Sequence, residues 1–354
     1  MSLVSIVIPC RNEARYIGRC LDSILANDFP SDQLEILVVD GMSDDGTRDV
    51  VASYCQRHPF LRLLDNPRRT TPVALNIGVR LARGSIVMPM SAHSTCPRDY
   101  VGRCVEASRR LGADDVGGNL VTRPIAATPI AEAIGVVLGH RFGVGNAEYR
   151  VSQATHGERD VDTVPFGCYR REVFDRIGYF DERLTRNQDL EFNIRLRASG
   201  GRIVLLPDVQ IYYHPRTDLG GFLRHNFRTG IWALYSAHFG RRAFELRHLV
   251  PGMFVGSLLG SGVAGLVWPR FWWLTAAAAA SYLIAMAATT VMEARRRRAW
   301  RLLATLLPVF AGLHLAYGLG TVVGLFQAIV TPEFWRRVLL RGTTQPRPTR
   351  RPPT

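Results

Sequence analysis

Three apolar runs close this 354-residue chain, and they constrain its architecture more than any other feature. "LVPGMFVGSLLGSGVAGLVW" (249–268) and "FWWLTAAAAASYLIAMAATTVM" (271–292) carry no charge. "LLATLLPVFAGLHLAYGLGTVVGLFQAIV" (302–330) has His314 as its one ionisable group. A bilayer crossing takes ~20 apolar residues, so each run is long enough. One such run would fit a buried core helix; three in succession predict a membrane region. The third run reads either as a long tilted helix or as a broken, re-entrant pair. Residues 1–240, by contrast, carry charges throughout, as a water-facing domain does.

The net charge of +14 is placed at the edges of these runs. "GRRAFELRH" precedes the first, "EARRRRAWR" separates the second and third, and "FWRRVLLRGTTQPRPTRRPPT" follows the last. Arginines flanking spans suit cytoplasmic loops and anionic head groups. With no nucleic-acid motif present, the membrane surface is the partner that the charge predicts, and nucleic acid is not. Six cysteines without CxxC or zinc-ligand spacing fit a reducing cytosol. "MSLVSIVIPC" enters a strand-like run directly, with no signal-peptide pattern. The expected layout is a catalytic domain over 1–213, an interfacial amphipathic segment over 214–247, membrane helices over 248–332 and a basic, disordered tail over 333–354. The expected location is a bacterial-type inner membrane, with the domain facing the cytoplasm.

In the first ninety residues, short β-branched runs alternate with helical patterns. Strands are predicted over 4–9, 34–40, 61–66 and 85–90, and helices over 13–27, from the turn "GMSDDGT" through Tyr54, and over 71–84. That rhythm predicts an α/β fold with a doubly wound, mostly parallel sheet. Ligands bind beyond the carboxyl ends of such strands. Pro9–Glu13, Asp40–Asp45, Asn66–Arg69 and Ser91–His93 therefore should converge on one cleft.

At these residues the chain resembles glycosyltransferase family 2, the inverting nucleotide-sugar transferases of GT-A fold. The matching pieces are "VSIVIPCRNEARYIGRCLDSI", "EILVVDGMSDDGT", "ALNIGVRLARG", the position of "SAH", and "RNQDLEFNIRLRASG". "VDTVPFGCYRREVF" and "HLAYGLG" look like the branch that holds the succinoglycan and other exopolysaccharide glucosyltransferases. The resemblance implies a UDP-sugar donor and a lipid-linked, polyprenyl-diphosphate saccharide as acceptor. It implies Pro9, Arg11, Glu13, Asp40, Ser43, Asp45, Asn76, Ser91 and Ala92 at the donor. An Asp at a strand end can accept the N–H of a uracil ring; the competing reading of Asp40 is a turn residue. For Asn76 and Gly78 the alternative is packing of helix on sheet.

The resemblance also implies Asp189 as the base that takes the acceptor's proton, the alternative being a carboxylate that merely suits a helix start. Glu191 and Asp181 are the nearby carboxylates. Phe166, Gly167, Arg170, Gln188, Arg228 and Trp232 fall on the acceptor or phosphate side. The competing reading for most of segment 214–239 is a helix packed on lipid.

The family places Asp-x-Asp, which binds Mg²⁺ or Mn²⁺, where this chain has Ser91, Ala92 and His93. Imidazole can ligate Mn²⁺, whereas a neutral hydroxyl is a poor ligand for a hard dication. His93 is the expected metal ligand of a weakened site. Asp99 or His214 could complete that site, or Arg68 and Arg69 could replace the ion. Two rival functions stay open: transfer to a polyprenyl monophosphate, and a non-catalytic nucleotide-sugar-binding paralogue that scaffolds other polysaccharide-assembly proteins.

Overall fold

The computed structural model describes residues 3–152, 157–215, 217–236 and 244–331. The expected tail, 333–354, lies outside them. The chain opens with β1 (Val4–Cys10), α1 (Ala14–Leu25), β2 (Leu34–Asp40), α2 (Thr47–Arg57), β3 (Leu61–Asp65), α3 (Thr71–Leu81) and β4 (Ile86–Pro89). There follow β5 (Ser94–Thr95), α4 (Tyr100–Leu111), β6 (Asp115–Thr122), α5 (Pro129–Leu138), α6 (Arg141–Val144) and α7 (Glu148–Val151). Then come β7 (Arg159–Asp160), β8 (Cys168–Arg170), α8 (Arg171–Ile177), α9 (Gln188–Ala198) and β9 (Ile203–Tyr213). The last helices are α10 (Leu219–Tyr235), α11 (Val250–Val267), α12 (Phe271–Arg296) and α13 (Leu303–Val330).

Every residue of β2 is buried, and β1 is buried but for Pro9, which is why both are rich in Val, Ile and Leu, with the buried Glu35 held by Ser5 and Arg83. The sheet order is β3-β2-β1-β4-β8-β6-β9-β5, with β7 on β9. The first four strands are parallel, and the remainder mixes parallel and antiparallel pairs, as GT-A sheets do. One core cluster packs α1, α2 and α4 on one face; another packs α3, α8 and α9 on the other. All six cysteines are free.

The third apolar run is one continuous helix of 28 residues with Pro308 inside it. At ~1.5 Å per residue it is about 42 Å long, against ~30 Å of bilayer hydrocarbon, so it has length to spare for tilt. Among the described residues three helices are long and apolar enough to cross a membrane: Leu246–Val267, Phe271–Arg296 and Trp300–Val330. They expose Met253, Trp273, Ile284 and Phe326 outward. Where α11 meets α13, a Cβ on Gly252 would sit 2.6 Å from Thr321, so small residues set the close approach, as is usual between membrane helices.

Two elements join the halves. Helix α5 packs Ile134 and Val137 against Leu306, Val309 and Phe310 of α13. Helix α10 runs alongside α13 with backbones nearly touching, because Gly230, Gly312, Gly320 and Gly324 leave room for it. Within the segment 214–247, expected to be interfacial, α10 is docked lengthwise on another helix. Residues 237–243 of that segment lie outside the described ones.

Candidate active site

The tips of β1, β2, β3 and β4 border a single cavity of about 1590 Å³. Arg11, Asn12 and Glu13 come from the first tip, Gly41 from the second, Asn66 and Arg69 from the third, and Ser91, Ala92 and His93 from the fourth. Phe166, Gly167 and the segment Thr185–Asp189 line the facing wall. One face of α10, with Asn226, Arg228, Thr229 and Trp232, closes it. Backbone strain gathers here. Asn12, Met42, Arg69, Phe166 and Asn187 all have φ between 50° and 59°, a region costly for residues other than glycine.

Asp189 stands in the first turn of α9 and faces the cavity. Water reaches it from that side, while protein atoms crowd it from the others; this desolvation raises its carboxyl pKa. It accepts a hydrogen bond from the backbone N–H of Leu190, at 2.9 Å. The neighbouring carboxylates are spent. Glu191 is clamped by Arg195 at 2.7 and 2.9 Å, and Asp181 by Arg183 at 2.8 and 2.6 Å. Among the described residues Asp189 has no cationic partner. A buried network holds α9 in place: Tyr169 donates to Asn193 at 2.8 Å, and Asn193 donates to Thr163 at 2.8 Å.

His93 presents Nδ1 3.4 Å from Glu13 Oε1, with its ring edge-on to Tyr16 and Tyr213. Ser91 lies two residues away, its carbonyl holding the turn through Ser94. A carboxylate and an imidazole on one rim suit a dication that arrives with phosphate oxygens, since such ions often take only one or two protein groups. Among the described residues no group of three or more His, Cys, Asp or Glu assembles around a common point. His214 cannot complete the set: one ring nitrogen meets Thr95 Oγ1 at 3.0 Å and the other the Arg123 carbonyl at 2.7 Å. Asp99 starts α4 beside Arg103 and is not on the cavity wall. Arg68 is bound to Glu182, which leaves Arg69 as the cation of that pair on the wall.

Several expected donor residues hold the framework instead. Asp40 is wholly buried and accepts from Ser43 N–H at 2.9 Å, Ser43 Oγ at 2.5 Å and Arg48 at 2.8 Å. Ser43 Oγ in turn accepts from the N–H of Asn12. Asp45 binds Thr47 and the N–H of Ala14; burial opposes its ionisation, but these bonds outweigh that and hold its carboxyl below the ordinary range. Asn76 bridges to the Phe180 backbone and to Glu182. None of these four side chains lines the cavity. Pro9, Arg11, Glu13, Ser91 and Ala92 do, as do Phe166, Gly167, Gln188, Arg228 and Trp232.

Arg170 is misplaced by the earlier expectation. Strand β8 runs antiparallel to β4, so Phe166 and Gly167 sit at the cavity end while Arg170 pairs with Ile86 at the opposite end. There it binds the Ser108 carbonyl and Glu172. Gly167 is glycine because the Asp115 carboxyl group lies against its Cα.

The cavity also has walls that sequence reasoning missed. Phe142 of α6, Phe254 of α11, Tyr282 of α12 and His314 of α13 form its far end. The available signals were the apolar stretch of α5 leading into α6, and a lone histidine in an apolar run.

A family model described as glycosyl transferase family 2 matches residues 5–178. Among curated proteins, the chain is 26% identical over 275 residues to a dolichyl N-acetyl-alpha-D-glucosaminyl phosphate 3-beta-D-2,3-diacetamido-2,3-dideoxy-beta-D-glucuronosyltransferase of Methanococcus voltae, covering 75% of this chain and 83% of that protein. It is 29% identical over 251 residues to the succinoglycan biosynthesis protein ExoA of Rhizobium meliloti, covering 70% and 72%. Among solved structures, the mannosyltransferase PcManGT of Pyrobaculum calidifontis, in complex with GDP-Man and Mn²⁺, aligns with a TM-score of 0.56 at 22% identity, covering 91% of this chain and 87% of that one. TarS 1-349 of S. aureus, in complex with UDP-GlcNAc, aligns with a TM-score of 0.53 at 15% identity, covering 92% and 91%.

Proposed function

The chain belongs, through residues 5–178, to glycosyltransferase family 2, and from that premise we propose that it moves a sugar from a UDP-sugar to a lipid-linked saccharide with inversion at the anomeric carbon. The observation that carries this reading is Asp189, a cavity-facing carboxylate at a helix start, free of any cation among the described residues. The acceptor hydroxyl gives its proton to Asp189 as its oxygen bonds to the anomeric carbon. The bond from that carbon to the diphosphate oxygen breaks on the opposite side, and the nucleotide diphosphate leaves with the electron pair.

Arg11 and Arg69, both on the cavity wall at the tips of β1 and β3, supply positive charge for the leaving group. Glu13 and His93 are the groups that would hold Mg²⁺ or Mn²⁺, which when bound neutralises phosphate charge. The nucleoside lies against Gly41, a glycine because the Arg11 stem packs 3.2 Å from where a Cβ would be.

A lipid-borne acceptor is supported by three membrane-length helices around the same cavity, and by the dolichyl phosphate substrate in the name of the Methanococcus voltae relative. We take the domain to face the cytoplasm, on the arginine clusters that flank the apolar runs. A second reading, nucleotide-sugar binding without transfer, draws on Ser91 and on the lack of a three-donor metal set among the described residues. Incubating protein in membranes with a panel of UDP- and GDP-sugars and a polyprenyl-diphosphate saccharide tests both. Transfer from a UDP-sugar with an inverted product linkage upholds the proposal. A retained linkage, or UDP binding with no transfer under any metal, sinks it.

A further inference from the structure

We infer that the cavity is a two-ligand chamber whose membrane-side half is a lipid-phosphate subsite, with Arg141 and Arg228 holding the phosphate head and Phe142, Phe254 and Tyr282 the first units of the hydrocarbon chain. This rests on the reading of a lipid-borne acceptor and gives that acceptor a place. Size is the first support. A pocket for one small ligand runs to about 300–1000 Å³, and this cavity, at about 1590 Å³, exceeds that range.

The second support is that its two ends differ in kind. One is formed by polar strand tips. The other is built from aromatic rings on α6 and on helices of membrane length. Phe254 and Tyr282 have ring centres 4.6 Å apart, and Phe142 stacks on Tyr282 at 6.1 Å.

The polar atoms of this far wall are already satisfied. His314 meets the Tyr282 hydroxyl at 3.0 Å through one ring nitrogen and the Phe142 carbonyl at 2.8 Å through the other. What the wall offers a ligand is therefore apolar and aromatic surface. Arg141 precedes Phe142 directly, and Arg228 projects from α10; both line the cavity, and neither has an ion-pair partner among the described residues. Guanidinium groups are suited to phosphate. Two such cations lining the same cavity as these aromatic rings match an amphiphile: an anionic head continuing into a hydrocarbon tail. An inorganic anion would use the arginines and leave the recess empty.

The full-length protein in detergent, saturated with UDP to occupy the donor end, is titrated with farnesyl diphosphate, inorganic diphosphate and farnesol. Farnesyl diphosphate is expected to bind at least tenfold tighter than either fragment. Arg141→Gln is expected to weaken it about tenfold, and Phe254→Ala to weaken it while leaving inorganic diphosphate unaffected. UDP affinity within twofold of the native value certifies that each variant is folded. Equal affinity for farnesyl diphosphate and inorganic diphosphate overturns the inference, as does indifference to both substitutions while UDP still binds. Should the protein hold farnesyl diphosphate through Arg141 yet bind no nucleotide, the proposed transfer falls and the lipid-phosphate subsite stands.

Discussion

The Nδ1 atom of His93 lies 3.4 Å from Oε1 of Glu13, on the same rim as the Ser91 side chain. Replacing Ser91 with Asp adds a hard oxygen donor beside this pair. We expect Ser91→Asp to tighten Mn²⁺ binding about tenfold or more in the presence of UDP, and His93→Ala to weaken it. Electron paramagnetic resonance of free Mn²⁺ reads both. No change in either variant would place the ion elsewhere.

Asp189→Asn keeps the shape of the side chain and removes its basicity. Transfer should drop about 10²- to 10⁴-fold, the usual worth of a general base, while UDP affinity stays near native. Glu191→Gln is the contrast: it removes the charge of the buried Glu191 from its pair with Arg195, which keeps its bonds to the Ile177 and Tyr179 carbonyls, and should cost stability, read as a lower melting temperature.

The pH dependence follows from the same carboxylate. Enclosure raises the Asp189 pKa above the ordinary value of about 3.9, and only the ionised form can accept a proton. The rate should therefore fall with decreasing pH through a limb displaced toward neutrality. The residual activity of Asp189→Asn should lack that limb. A profile with its acid limb at or below the ordinary carboxylate range would contradict the assignment.

Gly167 is pressed against Asp115, whose two carboxyl oxygens have no hydrogen-bond partner among the described residues and whose burial raises its pKa well above the usual range. A methyl group at 167 collides with that carboxyl. Gly167→Ala should destabilise the protein by about 1–3 kcal/mol, typical of overpacking. Adding Asp115→Ala should recover part of the loss, a coupling that thermal melts of the double-mutant cycle can detect.

The seam between α10 and α13 gives a fifth expectation. A side chain at Gly320 would run into the carbonyl oxygen of Phe227. Gly320→Leu should separate the helices, lower the melting temperature and weaken acceptor use more than UDP binding, because Arg228 and Trp232 ride on α10. Equal loss of both ligands would mean the seam only stabilises the fold.

The parallel half of the sheet was legible because β1, β2 and β4 are largely buried runs and β3 a short leucine-rich one, all bounded by clear turns and helices. The two- and three-residue strands β5, β7 and β8 are too short to show any period, so the mixed half of the sheet was not. Arg170 was assigned to the wrong end because sequence does not announce that β8 runs backwards. Ser43, Asp45 and Asn76 show another limit: the side chains that bind ligands also build turns and caps, and here the fold uses them for the latter. Asp189 was pointed to by the resemblance alone, since a carboxylate opening a helix also suits the helix dipole; its place on the cavity wall and the clamps on Glu191 and Asp181 needed coordinates. The far wall of the cavity is assembled from four helices distant in sequence, and no local pattern reveals it.

Helix α10 carries cavity residues on one side and touches α13 almost backbone to backbone on another. Nothing soft separates them. If α13 leans differently in a thin bilayer than in a thick one, that lean is delivered undamped to Arg228 and Trp232. Lipid composition would then act on turnover mechanically, with no effector molecule and no change in either substrate.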